Sequence, residues 1–87
     1  MDHDSFKSFK EKLDQQHDWP SLYTFKFIVP KGKEGEVKEI FPNNEATLKA
    51  SKNGNYTSLT IQLLAPSSDV VIEKYVAAHE IEGIIAL

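Results

Sequence analysis

A β-hairpin over residues 45–65 most constrains the fold, because apolar and polar residues alternate on both sides of an Asn-Gly turn signal. If Asn53 and Gly54 are the central residues of a type I′ turn, Leu48 faces Leu59 across the two strands. One side of the hairpin is then apolar and the other polar, which is typical of an antiparallel sheet with one buried face. The other pairs in this register are Ala46–Ile61 on the apolar side, and Glu45–Gln62, Thr47–Thr60 and Lys49–Ser58 on the polar side.

The alternation of apolar and polar residues leaves open which two residues are central in the turn. A loop one residue longer would place Leu48 opposite Thr60 and mix the two faces, whereas a turn at Gly54-Asn55 preserves them. In the preferred register Gly54 has positive φ, a conformation that glycine adopts without steric cost. The register explains this segment except for Tyr56, whose ring lies on the polar side.

An amphipathic helix is predicted near the N-terminus, from about Ser5 to Gln16, with Asp4 as its N-cap. The helix ends before Pro20, since proline disfavours the helical conformation of the residue that precedes it. Its narrow apolar stripe is expected to pack within the domain; the alternative is a detachable segment or a dimer contact. The stripe consists of Phe6, Phe9 and Leu13.

The rest of the chain alternates between strand and helix patterns. The first strand has an aromatic side, with Tyr23, Phe25 and Phe27, that is expected to face the core. In the last helix the expected core stripe is Ile72, Tyr75, Val76 and His79. The elements are a strand over 21–30, a short helix over 34–41, a helix capped by Ser67 or Ser68 and ending near His79, and a strand over 81–87.

The element order, one helix followed by β-α-β-β-α-β, predicts an α+β ferredoxin-like fold, the split β-α-β arrangement. Right-handed crossovers give a four-stranded antiparallel sheet in the order 4-1-3-2, with both crossover helices on one face. Residues 1–19 are expected to form the N-terminal helix and a linker, and residues 20–87 the ferredoxin-like domain. The face without crossover helices is expected to be polar and either solvated or partly covered by the N-terminal helix or a second subunit. The core residues predicted on the other face are Phe25, Phe27, Leu48, Leu59, Ile61 and Leu63.

Composition narrows the classes of function. A chain of 87 residues with no cysteine forms one domain without disulfides, and a homodimer would add stability at this size. All ten basic residues are lysine and the net charge is −3, which argues against nucleic acid as a partner. No segment resembles a signal peptide or reaches membrane-spanning length, so a soluble cytoplasmic protein without membrane contact is expected.

Three features together resemble a known family. They are the strand YTFKFIV at 23–29, the pattern S-x-x-G-x-Y-x-S-L-T at 51–60, and the apolar C-terminal strand. They resemble the YbeD-like proteins, a family of small bacterial proteins of unknown function, over most of the chain after Trp19. That family is similar in fold to ACT regulatory domains, which bind amino acids and control enzymes, and some descriptions label it lipoate-binding. The resemblance implies an ACT-like regulatory role.

The loop between the first strand and the short helix is one candidate ligand site. Backbone N–H groups ahead of a helix can hold a carboxylate or phosphate. A flexible loop with solvated lysines is the favoured explanation, because neither a phosphate-loop nor a dinucleotide spacing is present. The candidate residues are Lys31, Gly32, Lys33 and Gly35.

Tyr56 is the second candidate, because an exposed ring on the open sheet face can stack on a ligand. RNA recognition would need several exposed aromatic residues, and Ser58 and Thr60 occupy the next outward positions. The histidines His3, His17 and His79 lie in different segments without metal-ligand spacing, and no nucleophile–base pair is evident.

These observations predict a non-enzymatic regulatory or adaptor domain that binds a small metabolite or a protein partner, without metal or cofactor. The alternative is a purely structural interaction module that pairs through an edge strand or the open face of its sheet.

Overall fold

The computed structural model describes the backbone of residues 3–87 and the side chains of residues 7–87. It has an α+β architecture in which three helices pack on one face of a four-stranded antiparallel sheet. The elements are α1 His3–Gln16, β1 Ser21–Pro30, α2 Glu34–Ile40, β2 Ala46–Ala50, β3 Tyr56–Ala65, α3 Ser68–His79 and β4 Ile85–Ala86. The first helix begins at His3, so the predicted N-cap Asp4 lies inside it.

The sheet order is β2-β3-β1-β4, which has the same neighbours as the predicted 4-1-3-2 when the strands are counted from the β4 edge. The central pair, β1 with β3, runs antiparallel from Ser21 opposite Ala65 to Pro30 opposite Tyr56. The last strand lies beside β1, with Ile85 opposite Ile28. These pairings agree with two crossover connections over one face of the sheet.

The last strand is shorter than the predicted span of 81–87. Helix α3 is followed by a turn, in which the Ile81 N–H bonds the Ala78 oxygen at 3.0 Å and the Ile84 N–H bonds the Ile81 oxygen at 3.3 Å. Gly83 has a φ of 79° within this turn. Ile81 lies in this turn, and its apolar side chain is buried there. A buried apolar residue just ahead of β4 looks in the sequence like the first residue of a strand.

The predicted hairpin register is confirmed, but the predicted type I′ turn is wrong. The observed pairs include Leu48 with Leu59, as predicted. The turn hydrogen bond joins the Gly54 N–H to the backbone carbonyl oxygen of Ser51 at 3.0 Å, so the central residues of the turn are Lys52 and Asn53. A type I′ turn needs positive φ at both central residues, whereas no residue other than glycine has positive φ in the part that the structure describes. Five residues, 51–55, separate β2 from β3, and this longer loop conserves the register.

Gly54 itself has the predicted positive φ, at 72°. A Cβ at this position would meet no atom within 4 Å, so only the backbone conformation opposes substitution. We expect Gly54→Val to lower the free energy of unfolding by about 1–2 kcal/mol, measured by urea denaturation. Gly35→Val is the control for the loss of glycine, because Gly35 lies in α2 and has no positive φ. Equal midpoints for Gly54→Val and the wild type would contradict the conformation described here.

The core lies between the sheet and the helices. Phe25, Phe27 and Val29 of β1 are fully buried, as the alternation predicted. Leu48 was expected in this core, yet it is 40% exposed. It lies on β2, an edge strand of five residues, where only one neighbouring strand shields it. The other core residues are Leu13, Val37, Phe41, Leu59, Ile61, Ala65, Val71, Ala78 and Ile81, with Leu63 partly buried.

Helix α3 buries only part of the predicted stripe, since Ile72 and Tyr75 pack against the core but Val76 and His79 do not. Val71 and Ala78 are buried and Tyr75 is partly buried, whereas Val76 is 43% exposed and His79 is exposed. Val71 and Ala78 lie on the opposite side of Tyr75 from Val76 around the helix axis, so the buried stripe is rotated away from Val76. Small side chains such as Ala78 allow the helix to approach its neighbours closely, which hydrophobicity alone does not indicate.

Helix α1 packs on α3 and leaves the open face of the sheet uncovered. Leu13 is buried, and the Phe9 ring meets the Tyr75 ring edge-on with centroids 5.6 Å apart. At the start of α3 the Lys10 ammonium donates to the Ser68 hydroxyl at 2.8 Å and pairs with Asp69 at 3.0 Å. Apolar contact and a charged hydrogen bond therefore both hold α1 on the helical layer.

Candidate functional site

A groove opens on the uncovered face of the sheet, beside the hairpin loop. It has a volume of about 340 Å³, at the small end of the range for ligand sites. The Tyr56 ring forms one wall and is 47% exposed. The lining residues are Ile28, Lys49, Ala50, Ser51, Lys52, Tyr56 and Ser58.

Hydrogen bonds within the hairpin fix the shape of this groove, which we call the Tyr56 groove. The Ser51 N–H donates to the backbone carbonyl oxygen of Tyr56 at 2.8 Å. The Tyr56 N–H donates in turn to the Ser51 hydroxyl at 3.2 Å. The Ser58 hydroxyl donates to the Lys49 carbonyl at 3.3 Å. Because Ile28 lies opposite Ser58, it places an aliphatic side chain on the floor between the tyrosine and the two serines.

The chemistry of the groove combines an apolar floor with positive charge. Ile28 and the Tyr56 ring offer apolar surface, while Lys49 and Lys52 bring two ammonium groups to the rim. Within residues 7–87, neither lysine forms an ion pair. Such a site can bind an anionic group attached to an apolar body, since a charged side chain fixes orientation while apolar contact supplies area.

The candidate loop at 31–35 satisfies its own backbone groups. The Gly32 N–H, at a φ of 101°, donates to the Glu34 carboxylate, and the Lys33 N–H donates to the Pro30 oxygen. The Lys33 ammonium pairs with Glu36 at 3.2 Å. Hydrogen bonds from its own backbone N–H and from that of Gly32 hold the pKa of Glu34 below its usual range. An acidic side chain of the chain itself thus takes the place that an anion would need.

The structure brings this loop next to the hairpin loop, although the two lie far apart in sequence. The Lys31 N–H donates to the Asn55 oxygen at 2.9 Å, beside the pair of Pro30 and Tyr56. Lys31 and Gly35 are exposed. The ligand-binding role predicted for 31–35 stays a prediction, and the Tyr56 groove does not include these residues.

The structure places the N-terminal stripe away from the Tyr56 groove. Phe9 and Leu13 contact the core through α3. The side chain of Phe6 lies outside the described residues. An interaction role for this stripe stays a prediction.

A second depression, of about 560 Å³, lies at the other end of β2 and was missed by sequence reasoning. The Asn44 amide donates to the Gln62 carbonyl there at 3.1 Å. The polar run Asn43-Asn44-Glu45 is the sequence signal, but only the fold shows that it meets β3. The lining residues are Asn43, Asn44, Glu45, Thr47, Thr60 and Gln62.

Two tyrosines form a polar contact between β1 and α3 that sequence reasoning also missed. The Tyr23 and Tyr75 hydroxyls are 3.0 Å apart. Burial, followed by the hydrogen bond with Tyr23, raises the pKa of Tyr75 well above its ordinary value. The interaction therefore favours the neutral phenol in the folded state.

The Tyr75 phenol predicts a loss of stability at high pH. Because its pKa is higher in the folded than in the unfolded state, its contribution is complete below pH of about 10 and declines above it. We expect Tyr75→Phe to show a shallower decline of melting temperature in alkaline buffer than the wild type. Tyr56→Phe, a change at an exposed ring, is the control. Parallel profiles for Tyr75→Phe and the wild type would exclude this linkage.

His17 and His79 lie apart from the groove. His17 Nδ1 is 3.2 Å from the Ser21 hydroxyl, and its ring lies 5.2 Å from that of Trp19. His79 is exposed in the last turn of α3.

Within residues 3–87 no helix is long and apolar enough to cross a membrane.

The architecture defines the chain as a small α+β domain with an open sheet face and a ligand-sized groove on that face. The chain belongs to the family described as "Protein of unknown function (DUF493)", whose model matches residues 14–87. The YbeD-like proteins belong to this family, so the resemblance stated from the sequence is confirmed. The chain matches no curated protein and no solved structure.

Proposed function

We propose that this chain is a non-enzymatic, ACT-like regulatory or adaptor domain that binds a small anionic metabolite in the Tyr56 groove. The observation that supports the proposal is the meeting of two lysines, Lys49 and Lys52, with the exposed face of Tyr56 around one concave site. Most lysines of a small domain are spread over its surface, so a pair at the rim of a partly apolar groove favours a ligand with a negative charge.

The fold supports the same proposal. We propose a ferredoxin-like classification for the arrangement β1-α2-β2-β3-α3-β4, in which both crossover helices cover one face. The open face then remains for binding, and the resemblance to ACT-like proteins points to control by a small ligand. The groove lies on strands and a closed hairpin, which position its side chains more rigidly than a long loop would.

The best-fitting ligand has a carboxylate and an apolar chain. An ammonium group of Lys49 or Lys52 would pair with the carboxylate, and the chain would lie on Ile28 and the Tyr56 ring. Octanoate and lipoate have this chemistry. An amino acid with an apolar side chain is also compatible, although its own ammonium group finds no carboxylate among the residues that line the groove.

A thermal-shift titration with octanoate, lipoate and apolar amino acids tests the proposal. We expect at least one ligand to raise the melting temperature of the wild type in a saturable way, because binding to the native state stabilises it by mass action. Tyr56→Ala should reduce the affinity about tenfold or more, the equivalent of about 1.4 kcal/mol. The variant should otherwise stay folded, since the Tyr56 ring is half exposed.

The matched control is Leu64→Ala, a change of a 63% exposed residue on the same face but outside the groove. It should bind like the wild type. Equal affinities for wild type and Tyr56→Ala would show that the ligand binds elsewhere, and no shift with any of these compounds would count against a carboxylate site.

A further inference from the structure

Exposed apolar surface is concentrated on the open face of the sheet. Among residues 7–87, seven large apolar or aromatic side chains are strongly exposed, and five of them lie on this face. The two exceptions are Leu48, on the edge strand, and Val76, on α3. Apolar residues scattered singly need no explanation, but a concentration on one face marks an interaction surface. The five are Leu22, Tyr56, Leu64, Ile85 and Leu87.

Three of these residues join Ile28 in one continuous stripe. Ile85 lies directly opposite Ile28, and the Leu87 N–H donates to the Lys26 oxygen at 2.9 Å, which places Leu87 next along the same edge. Tyr56 is the diagonal neighbour of Ile28 across β1 and β3. With strands about 4.8 Å apart, the stripe crosses three strands over roughly 10 Å. We call it the open-face stripe, comprising Ile28, Tyr56, Ile85 and Leu87.

The charged side chains within the four strands are positive, although Glu45, directly ahead of β2, lines the depression at the far end of the same face. The four strands contain two lysines and no acidic residue. Lys26 and Lys49 are both exposed, and both project from the open face, since their strand neighbours Phe25 and Phe27 are buried on the opposite side and Lys49 pairs with Ser58. Both lie on the same side of the open-face stripe, Lys26 opposite Leu87 and Lys49 beyond Ser58 in the row of Ile28. Neither forms an ion pair among residues 7–87.

The helical layer carries charges of both signs with an excess of acidic residues, in agreement with the net charge of −3 of the whole chain. The lysines that form ion pairs, Lys10 and Lys33, belong to that layer or to the loop that leads into it. The two free ammonium groups beside the stripe therefore favour a partner that presents carboxylates to them. Acidic residues of the helical layer include Glu11, Asp14, Glu34, Glu36, Glu39, Asp69 and Glu73.

We infer that the open-face stripe docks an acidic amphipathic helix of a partner protein. A helix completes a third layer on an uncovered sheet face, and roughly 10 Å of stripe matches about two helical turns. Its apolar side would cover Ile28, Ile85 and Leu87, and its carboxylates would reach Lys26 and Lys49. A second copy of this chain fits less well, because a face-to-face pair would bring lysine-bearing surfaces together.

The docking surface overlaps the Tyr56 groove at Ile28, Lys49 and Tyr56. A metabolite in the groove would compete with the partner helix for these three residues. The inference does not depend on the metabolite, because Ile85, Leu87 and Lys26 belong to the docking surface and not to the groove.

Selection from a random peptide display library against the full chain tests this inference. We expect the selected peptides to have apolar residues at helical spacing with Asp and Glu beside them. Amide chemical-shift changes on binding should cluster at Ile28, Ile85 and Leu87. Ile85→Ser and the double change Lys26→Glu/Lys49→Glu should each weaken binding tenfold or more.

The matched controls change equally exposed residues on the helical layer: Val76→Ser for the apolar change and Lys12→Glu/Lys38→Glu for the charge reversal. They should bind like the wild type. The inference is overturned if no peptide is selected, if the peptides are basic, or if the shifts map to the helices. Binding to phosphatidylglycerol vesicles through Ile85, or a dimer in sedimentation equilibrium that Ile85→Ser dissociates, would also overturn it by naming another occupant. A titration of the Tyr56→Ala variant with octanoate tests separately whether the groove binds a carboxylate.

Discussion

Phe27→Ala is expected to lower the free energy of unfolding by about 3–5 kcal/mol, because a fully buried ring leaves a cavity that its neighbours fill only in part. Phe27 has no exposed surface. Its ring stacks on Phe25 with centroids 6.0 Å apart and meets Tyr75 at 5.9 Å and Phe41 at 6.2 Å. Removal of the ring thus disturbs contacts from the sheet and from both crossover connections.

Urea denaturation of Phe27→Ala and Lys26→Ala measures this effect against an adjacent control. Lys26 lies on the open face, where substitutions usually change stability by less than about 0.5 kcal/mol. The midpoints should differ clearly at similar slopes. Similar midpoints for the two variants would mean that the strand presents its faces the other way round.

Gly83→Ala should be the most damaging of the glycine substitutions, at about 2–5 kcal/mol. Two costs add: the left-handed backbone at a φ of 79°, worth about 1–2 kcal/mol for a residue with a Cβ, and overpacking, worth about 1–3 kcal/mol. A Cβ there would lie 2.8 Å from Cγ and 3.3 Å from Cδ of Pro30. The proline ring cannot rotate away, so β1 or the turn before β4 must move.

Two other glycines separate these costs in the same denaturation experiment. Gly54→Ala has the backbone cost without the contact, because nothing lies within 4 Å of its Cβ. Gly35→Ala has neither and should stabilise α2 by about 0.5–1 kcal/mol, since alanine is the better helix former. A Gly83→Ala midpoint equal to that of Gly54→Ala would show that Pro30 gives way without cost.

The hairpin shows how far alternation alone can specify structure. The pairing of Leu48 with Leu59 followed from the sequence because a slip of one residue would turn every side chain to the other face. The turn type did not follow, since different loops join the strands in one register. The hydrogen bond from Gly54 to Ser51 is a local choice that the alternation does not detect.

Tyr56 shows the same limit for the candidate site. Its place on the polar side was predicted, and the structure finds it on the open face. Its neighbours Ile28 and Lys49 could not be assigned to one groove, because they come from strands that meet only in the sheet. The loop at 31–35 was a candidate site because of its glycines and lysines. In the structure the Glu34 carboxylate accepts a hydrogen bond from the Gly32 N–H, and the sequence does not show where that side chain lies.

The amino-acid sequence by itself determined the number and kind of elements, the aromatic core side of β1 and the register of the hairpin. These follow from the period of apolar residues and from proline and glycine positions, which act over a few neighbouring residues. Only the tertiary structure decided that α1 packs on α3, that β4 is reduced to Ile85–Ala86, and that Gly83 lies against Pro30. Those outcomes depend on how side chains from distant segments fill one volume, and the free energy of such packing is set by shape in three dimensions and not by periodicity along the chain.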